Sequence, residues 1–199
     1  FAGYCTNPSK CAEGNKNGPA LKAMFRRVRG IAVALDGTVY LADGHNHQVR
    51  KIKSGLVTLF AGSPLGWPYG KGYAEGKGSK AKFLHPTGLA VDKSGVVYVT
   101  TANHRLRKIQ PDGTTSTLAG GIKGYADGKG TAAKFYNPTG VVLDGKGNAY
   151  VADTYNHRIR KVTPAGVVST LVGGVAGYAD GDPSKAKLTY PQYLAIDSV

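Results

Sequence analysis

One stretch of this chain is written three times. From Pro138 it reads PTGVVLDGKGNAYVADTYNHRIRKVTPAGVVSTLVGG, and from Pro86 PTGLAVDKSGVVYVTTANHRLRKIQPDGTTSTLAGG. From Val28 it reads VRGIAVALDGTVYLADGHNHQVRKIKSGLVTLFAG. Aligned, Gly30, Gly88 and Gly140 coincide, each ten residues before Tyr40, Tyr98 or Tyr150. The pairs Asn46-His47, Asn103-His104 and Asn156-His157 also coincide. Each is followed by an Arg (Arg50, Arg107, Arg160) and a Lys (Lys51, Lys108, Lys161). The pitch is 57 residues from His47 to His104 and 53 from His104 to His157. A repeat of this length with four short apolar runs is the signature of a β-propeller blade.

The third copy shows the four expected antiparallel strands most plainly. Strand one is Gly140 to Leu143, and Asp144-Gly145-Lys146-Gly147 supplies hairpin turn chemistry. Ala149 to Ala152 makes strand two, Asp153 to Asn156 a turn, and His157 to Val162 strand three. Pro164-Ala165-Gly166 then turns the chain into strand four, Val167 to Val172. β-Branched and aromatic residues fall where strands are expected.

A connector between copies repeats as well: GYAEGKGSKAKF from Gly72, GYADGKGTAAKF from Gly124 and GYADGDPSKAKL from Gly177, with a worn copy, GNKNGPALKAMF, from Gly14. Ala23, Ala81, Ala133 and Ala186 coincide, as do Phe25, Phe83, Phe135 and Leu188. So regular an apolar anchor predicts a turn and a short helical or irregular piece that packs the Ala and the aromatic residue down. The blade units fall near 3–62, 63–121 and 122–174, with the start of the next at 175–199, all within one propeller segment. Each unit needs a neighbour to bury its faces, and three blades do not close a ring. The expectation is a piece of a larger propeller, completed by further blades of the same polypeptide or of another chain.

The chain carries 26 Lys and Arg against 12 Asp and Glu, a net charge of +14. That sign favours an anionic partner, whether acidic protein, acidic polymer or RNA, although simple solubility would be served equally. No run of 18 apolar residues is present, so no membrane-spanning helix is expected. Cys5 and Cys11 are the two cysteines. They are either a short-loop disulfide, pointing to an extracellular or secretory location, or two free thiols of a cytoplasmic protein.

The frame V-Y-V-A-D-x-x-N-H-R-I-R-K-V, with the connector G-Y-A-D-G-x-G-x-x-A-x-F, resembles the NHL-repeat family, named for Asn-His-Leu. The third letter varies here: Gln48, Arg105 and Arg158 follow the three histidines. The resemblance covers nearly the whole chain. It implies an all-β propeller, usually six-bladed, with four antiparallel strands per blade. It also implies roles to set beside protein binding: RNA binding, as in tripartite-motif NHL proteins, or a metal-dependent lyase or lactonase-like enzyme with His or carboxylates at the channel mouth. The middle copy departs at Thr100-Thr101, where the others carry Ala42-Asp43 and Ala152-Asp153. The hydrogen bonds of that Asp must be absent or replaced there.

A residue repeated in every blade serves the blade. Asn46, His47, Arg50, Asn103, His104, Arg107, Asn156, His157 and Arg160 are therefore read as structural, the guanidinium with its five donors tying strands or blades together. His45-Asn46-His47 has the spacing of a metal pair but no nearby cysteine or carboxylate cluster, so no metal and no cofactor is expected. Asp127-Gly128 and Asp180-Gly181 lack the alternating carboxylates of a calcium loop, with Glu75 and Asn17 in the equivalent places, and are read as turns. No nucleophile elbow, phosphate loop or Ser-His-Asp order stands out, so no catalytic residue is assigned and a non-enzymatic role is favoured. Binding is expected among the unrepeated residues. These are Arg26, Arg27 and Arg29, His85, and the insertion Ser63 to Tyr69 with Trp67 and Tyr69. Trp67 is either an exposed recognition residue or the plug of its own loop.

Overall fold

The computed structural model describes residues 13–197. The Cys5–Cys11 question lies outside these residues. Among the described residues there are strands and short 3₁₀ turns but no α-helix.

The first sheet holds β1 (Gly18–Pro19), β2 (Val28–Val33), β3 (Val39–Asp43), β4 (Gln48–Lys53) and β5 (Leu56–Gly62), in the order β1-β5-β4-β3-β2. The second holds β6 (Gly76–Lys77), β7 (Pro86–Val91), β8 (Val97–Thr101), β9 (Arg105–Ile109) and β10 (Thr114–Gly120). The third holds β11 (Gly128–Lys129), β12 (Val141–Leu143), β13 (Ala149–Asp153), β14 (Arg158–Val162) and β15 (Val167–Gly173). Both repeat the order of the first.

The sheets are thus five-stranded, which corrects the four strands expected from sequence. The extra strand is two residues of the connector laid antiparallel on the fourth long strand, pairing Gly18 with Val57, Gly76 with Thr115 and Gly128 with Val168. Two residues carry no readable alternation, so apolar pattern alone does not announce them. What allows them is glycine: Gly18, Gly76 and Gly128 hold φ of 130°, 139° and 144°, a region closed to side chains. A 3₁₀ turn follows each, at Ala20–Lys22, Gly78–Lys80 and Gly130–Ala132. Ala23, Ala81 and Ala133 behind these turns are fully buried, as are Phe83 and Phe135, while Phe25 and Leu188 are only half-buried.

The chain divides into two compact units, residues 1–97 with 109–115 and residues 98–108 with 116–199. In the first, Val49, Val57, Ala61, Ala81, Phe83 and Val97 are fully buried. In the second, Leu106, Phe135, Ala149, Val151 and Val162 are.

The recurring polar residues form a buried clamp. Asp43 sits at the end of β3 with one carboxylate oxygen accepting the Arg26 backbone N–H at 2.7 Å. The other oxygen accepts Asn46 Nδ2 at 2.9 Å and Arg50 Nη1 at 3.0 Å. Asp153 repeats this with Tyr136 N at 2.8 Å, Asn156 Nδ2 at 2.8 Å and Arg160 Nη1 at 2.7 Å. Each Arg then reaches its connector: Arg50 Nη2 to Lys16 O and Asn17 Oδ1, Arg160 Nη2 to Ala126 O and Asp127 Oδ1. Asn46 and Asn156 do likewise, to Gly14 O and Gly124 O. A register shift in the ladder accompanies each Arg, between Val49 and Arg50 and between Ile159 and Arg160. Burial pushes Asp43 and Asp153 above the ordinary carboxylate range, while the Asn, backbone and Arg donors pull the other way. Asp127, read from sequence as turn chemistry, is thus a ligand of the buried guanidinium.

The middle copy replaces the clamp's acid. Thr101 donates its hydroxyl to Asn103 Oδ1 at 2.6 Å, so the amide presents its oxygen where its counterparts present nitrogen. Arg107 is fully buried without an Asp at position 101.

The aligned Gly30 answers a second constraint. A Cβ there would stand 2.2 Å from Thr87 O, on the neighbouring β7. That atom is backbone and does not yield. Gly30→Ala is expected to lower the urea unfolding free energy by roughly 2–4 kcal/mol. Gly145→Ala, a turn glycine with open space around it, is expected to stay within about 0.5 kcal/mol.

Candidate functional site

The histidines of the repeat share one task. His47, His104 and His157 each close a turn in the left-handed region, with φ of 59°, 64° and 56°. Each presents Nδ1 to a backbone N–H of the next connector: His85 N at 3.2 Å, Asn137 N at 3.1 Å and Tyr190 N at 3.2 Å. The donors are themselves left-handed, with φ of 41°, 51° and 48°. Arg27, the equivalent residue of the first copy, has φ 52°. The His of each Asn-His pair is therefore a staple between consecutive repeats.

Around the first staple the copies cease to agree. Position 45 is His where the other copies have Ala102 and Tyr155, and position 48 is Gln where they have Arg105 and Arg158. The insertion follows β5 and is tied down by the second of these exceptions and by Asn15 of the first connector. Gln48 Nε2 donates to Ser63 O at 2.6 Å, and Asn15 Nδ2 donates to Pro64 O at 2.8 Å. It delivers Trp67 onto the histidines. The Trp67 ring lies 5.9 Å from His45, stacked, and 6.0 Å from His47; His85 lies 4.5 Å from His47 and 5.1 Å from His45. The Arg26 guanidinium sits 5.3 Å over Trp67, while its Nε pairs with Glu13 at 3.0 Å.

Of the residues singled out from sequence, Arg26, Trp67 and His85 meet in this cluster. Arg27 and Arg29 are exposed beside it, and both act electrostatically on His45. Tyr69 is exposed, and among the described residues no ring contact joins it to the others. Trp67 is 44% exposed: it covers the histidines and also faces solvent. His45 and His47, set aside by the sequence reading as a weak metal pair and a structural residue, belong to the cluster. The signal was present in the departures of positions 45 and 48, but nothing in the order of residues says that two turns and an insertion converge. Among the described residues no group of three His, Cys, Asp or Glu side chains is placed to hold a metal, and no helix is long and apolar enough to cross a membrane.

The cluster is a set of imidazoles held neutral. Burial, reinforced by His85, His45 and Lys71, pulls His47 down to about 4. Burial and the neighbouring cations lower His45 and His85 too, although the bond from His85 Nδ1–H to Gly44 O opposes this for His85. What this surface offers is aromatic area, neutral imidazole N–H groups and guanidinium charge. Those are means of recognition.

An all-β chain of antiparallel five-stranded sheets built on this signature is a β-propeller protein. The NHL repeat profile matches residues 25–52 and 135–162, the first and third copies. Protein SUPPRESSOR OF QUENCHING 1, chloroplastic, of Arabidopsis thaliana is 32% identical over 163 residues, covering 75% of this chain and 15% of that protein. NHL repeat-containing protein 2 of Gallus gallus is 32% identical over 162 residues, covering 74% and 22%. A solved auxiliary nutrient binding protein from Bacteroides thetaiotaomicron superposes with a TM-score of 0.66 at 22% identity, over 86% of this chain and 43% of that one. The chain belongs to the NHL-repeat family, and it spans less than a quarter of the length of the curated relatives described.

The lowered His47 sets a pH dependence. The native state takes up this proton only near pH 4, the unfolded chain near 6.5. Its contribution to stability is whole above about pH 6.5 and is lost as pH falls toward 4. The urea midpoint is expected to fall on acidification through that window. In His47→Asn, whose amide oxygen can accept the His85 N–H and which tolerates a left-handed backbone, the fall should be shallower. An unchanged slope would refute the assignment to His47.

Proposed function

We propose that this chain is part of a non-enzymatic binding propeller, six-bladed when complete, whose docking surface is the Arg26–Trp67–His cluster. The observation that carries this is the convergence of the exceptions. Gln48 and the insertion with Trp67 break the repeat, Arg26, His45 and His85 stand at positions where the copies share no residue, and all lie at one place. Residues under a purely architectural constraint would have followed the repeat.

The chemistry favours an acidic partner. Arg27 and Arg29 stand exposed beside the rings, in a chain of net charge +14. Leu65, Trp67 and Tyr69 are exposed on the insertion, at 67%, 44% and 76%. Apolar side chains flanked by cations suit a protein segment carrying acidic and apolar residues better than a uniformly polar glycan. That the same fold serves a nutrient-binding protein from Bacteroides thetaiotaomicron puts binding within its range.

The test is capture of an immobilised peptide of alternating Glu and Leu by the chain and by an Arg26→Gln, Arg27→Gln, Arg29→Gln variant. Loss of about tenfold or more in affinity is expected, with binding weakened by salt. Affinity held within about twofold, or preferential and steeply salt-dependent binding of single-stranded RNA, would overturn the reading.

A further inference from the structure

We infer that the imidazole Nε2–H of His47 is the donor that receives a carboxylate of the bound segment, with Trp67 as the cover the ligand displaces. The inference deepens the proposed function and rests on it.

The hydrogen-bond pattern fixes where the proton sits. His85 N–H donates to His47 Nδ1 at 3.2 Å, so Nδ1 carries no proton and the neutral ring carries it on Nε2. That atom is buried and has no hydrogen-bond partner, on a residue with no exposed surface at all. A buried donor left unmade is costly and calls for an acceptor.

The staple does not require this burial. His104 and His157 make the same Nδ1 bond, yet their rings are half-buried and reach solvent. In the first copy the insertion brings Trp67 to 6.0 Å from the His47 ring. The repeat explains Nδ1; only the unrepeated loop explains the dry Nε2.

The surroundings select the acceptor's charge. Arg29 and Lys71 act on His85, Lys71 on His47, and Arg26, Arg27 and Arg29 on His45. His85 spends its Nδ1–H on Gly44 O. For a buried N–H without a partner in a field of cations, an anionic oxygen is favoured over a neutral carbonyl. The insertion that holds Trp67 over the ring is fastened at its start by Gln48 and Asn15, through Ser63 and Pro64, and a backbone bond from Gly70 N–H to Gly66 O closes the turn that carries Trp67.

The carboxylate could come from a side chain or from a chain terminus, and NMR on the full chain labelled with ¹⁵N at histidine separates them. Three peptides are titrated: acetyl-Gly-Glu-Leu-Gly-amide, acetyl-Gly-Gln-Leu-Gly-amide, and acetyl-Gly-Gln-Leu-Gly with a free carboxylate. A saturable downfield shift of the His47 Nε2–H with the first or third peptide, and at least about tenfold weaker response to the second, supports the inference and identifies the source. Binding of the glutamate peptide, seen at other resonances while Nε2–H stays unmoved, overturns the inference and leaves the docking surface standing. No saturable shift anywhere overturns both. In Trp67→Ala the Nε2–H should exchange with solvent at least about tenfold faster; unchanged exchange shows that Trp67 is not its cover.

Discussion

A guanidinium buried in the sheet is the constraint from which the other features follow. A charge taken out of water survives only if it is paired and its remaining protons are bonded. Arg50 and Arg160 are paired, each with an Asp at the end of the second long strand, and their Nη groups bond carbonyl and side-chain oxygens of the connector, only the buried Nε of each being left without a hydrogen-bond partner. The connector thereby becomes a ligand of the sheet, and the two residues after those that bond the Arg lie where they add a short fifth strand. The Asn of the signature holds the same carboxylate and the same connector. Asn, Arg and Asp act as one unit.

The His beside them works outward. Its Nδ1 takes a backbone N–H of the next connector, so one motif both closes a repeat and fastens the following one. A sheet of this kind can vary freely where neither task is at stake. In the first copy that freedom is used at the turn before the staple, at the residue after it and in the loop that follows β5. These three places adjoin in space, and a surface of rings and cations results.

How much of this was legible depended on whether the feature repeats. The strands were, because period-two apolar runs and Asp-Gly turns state them. The burial of Ala81, Ala133, Phe83 and Phe135 was, because their alignment has no other use. The fifth strand was not, since two residues such as Gly76–Lys77 have no pattern. Nor was the role of Asp127, because an Asp before a Gly in a loop looks like turn chemistry, and only the fold brings it to Arg160. Thr101 was legible as a departure, but the turned amide of Asn103 that answers it was not. The exceptions at Arg26, His85 and Trp67 were visible one by one. Their meeting, and the entry of His45 and His47 into the same cluster, depends on contacts across distant segments that no local spacing encodes.

The most direct test is a double-mutant cycle on the clamp, with Asp153→Leu, Arg160→Met and the pair followed by urea unfolding. A carboxylate and guanidinium that hold one another out of water should be strongly coupled. Each single change should be severe and the double change milder than their sum, with a coupling of about 2–3 kcal/mol. A coupling under about 0.5 kcal/mol, with the two losses simply adding, would show that the buried pair does not organise the sheet and would contradict the account.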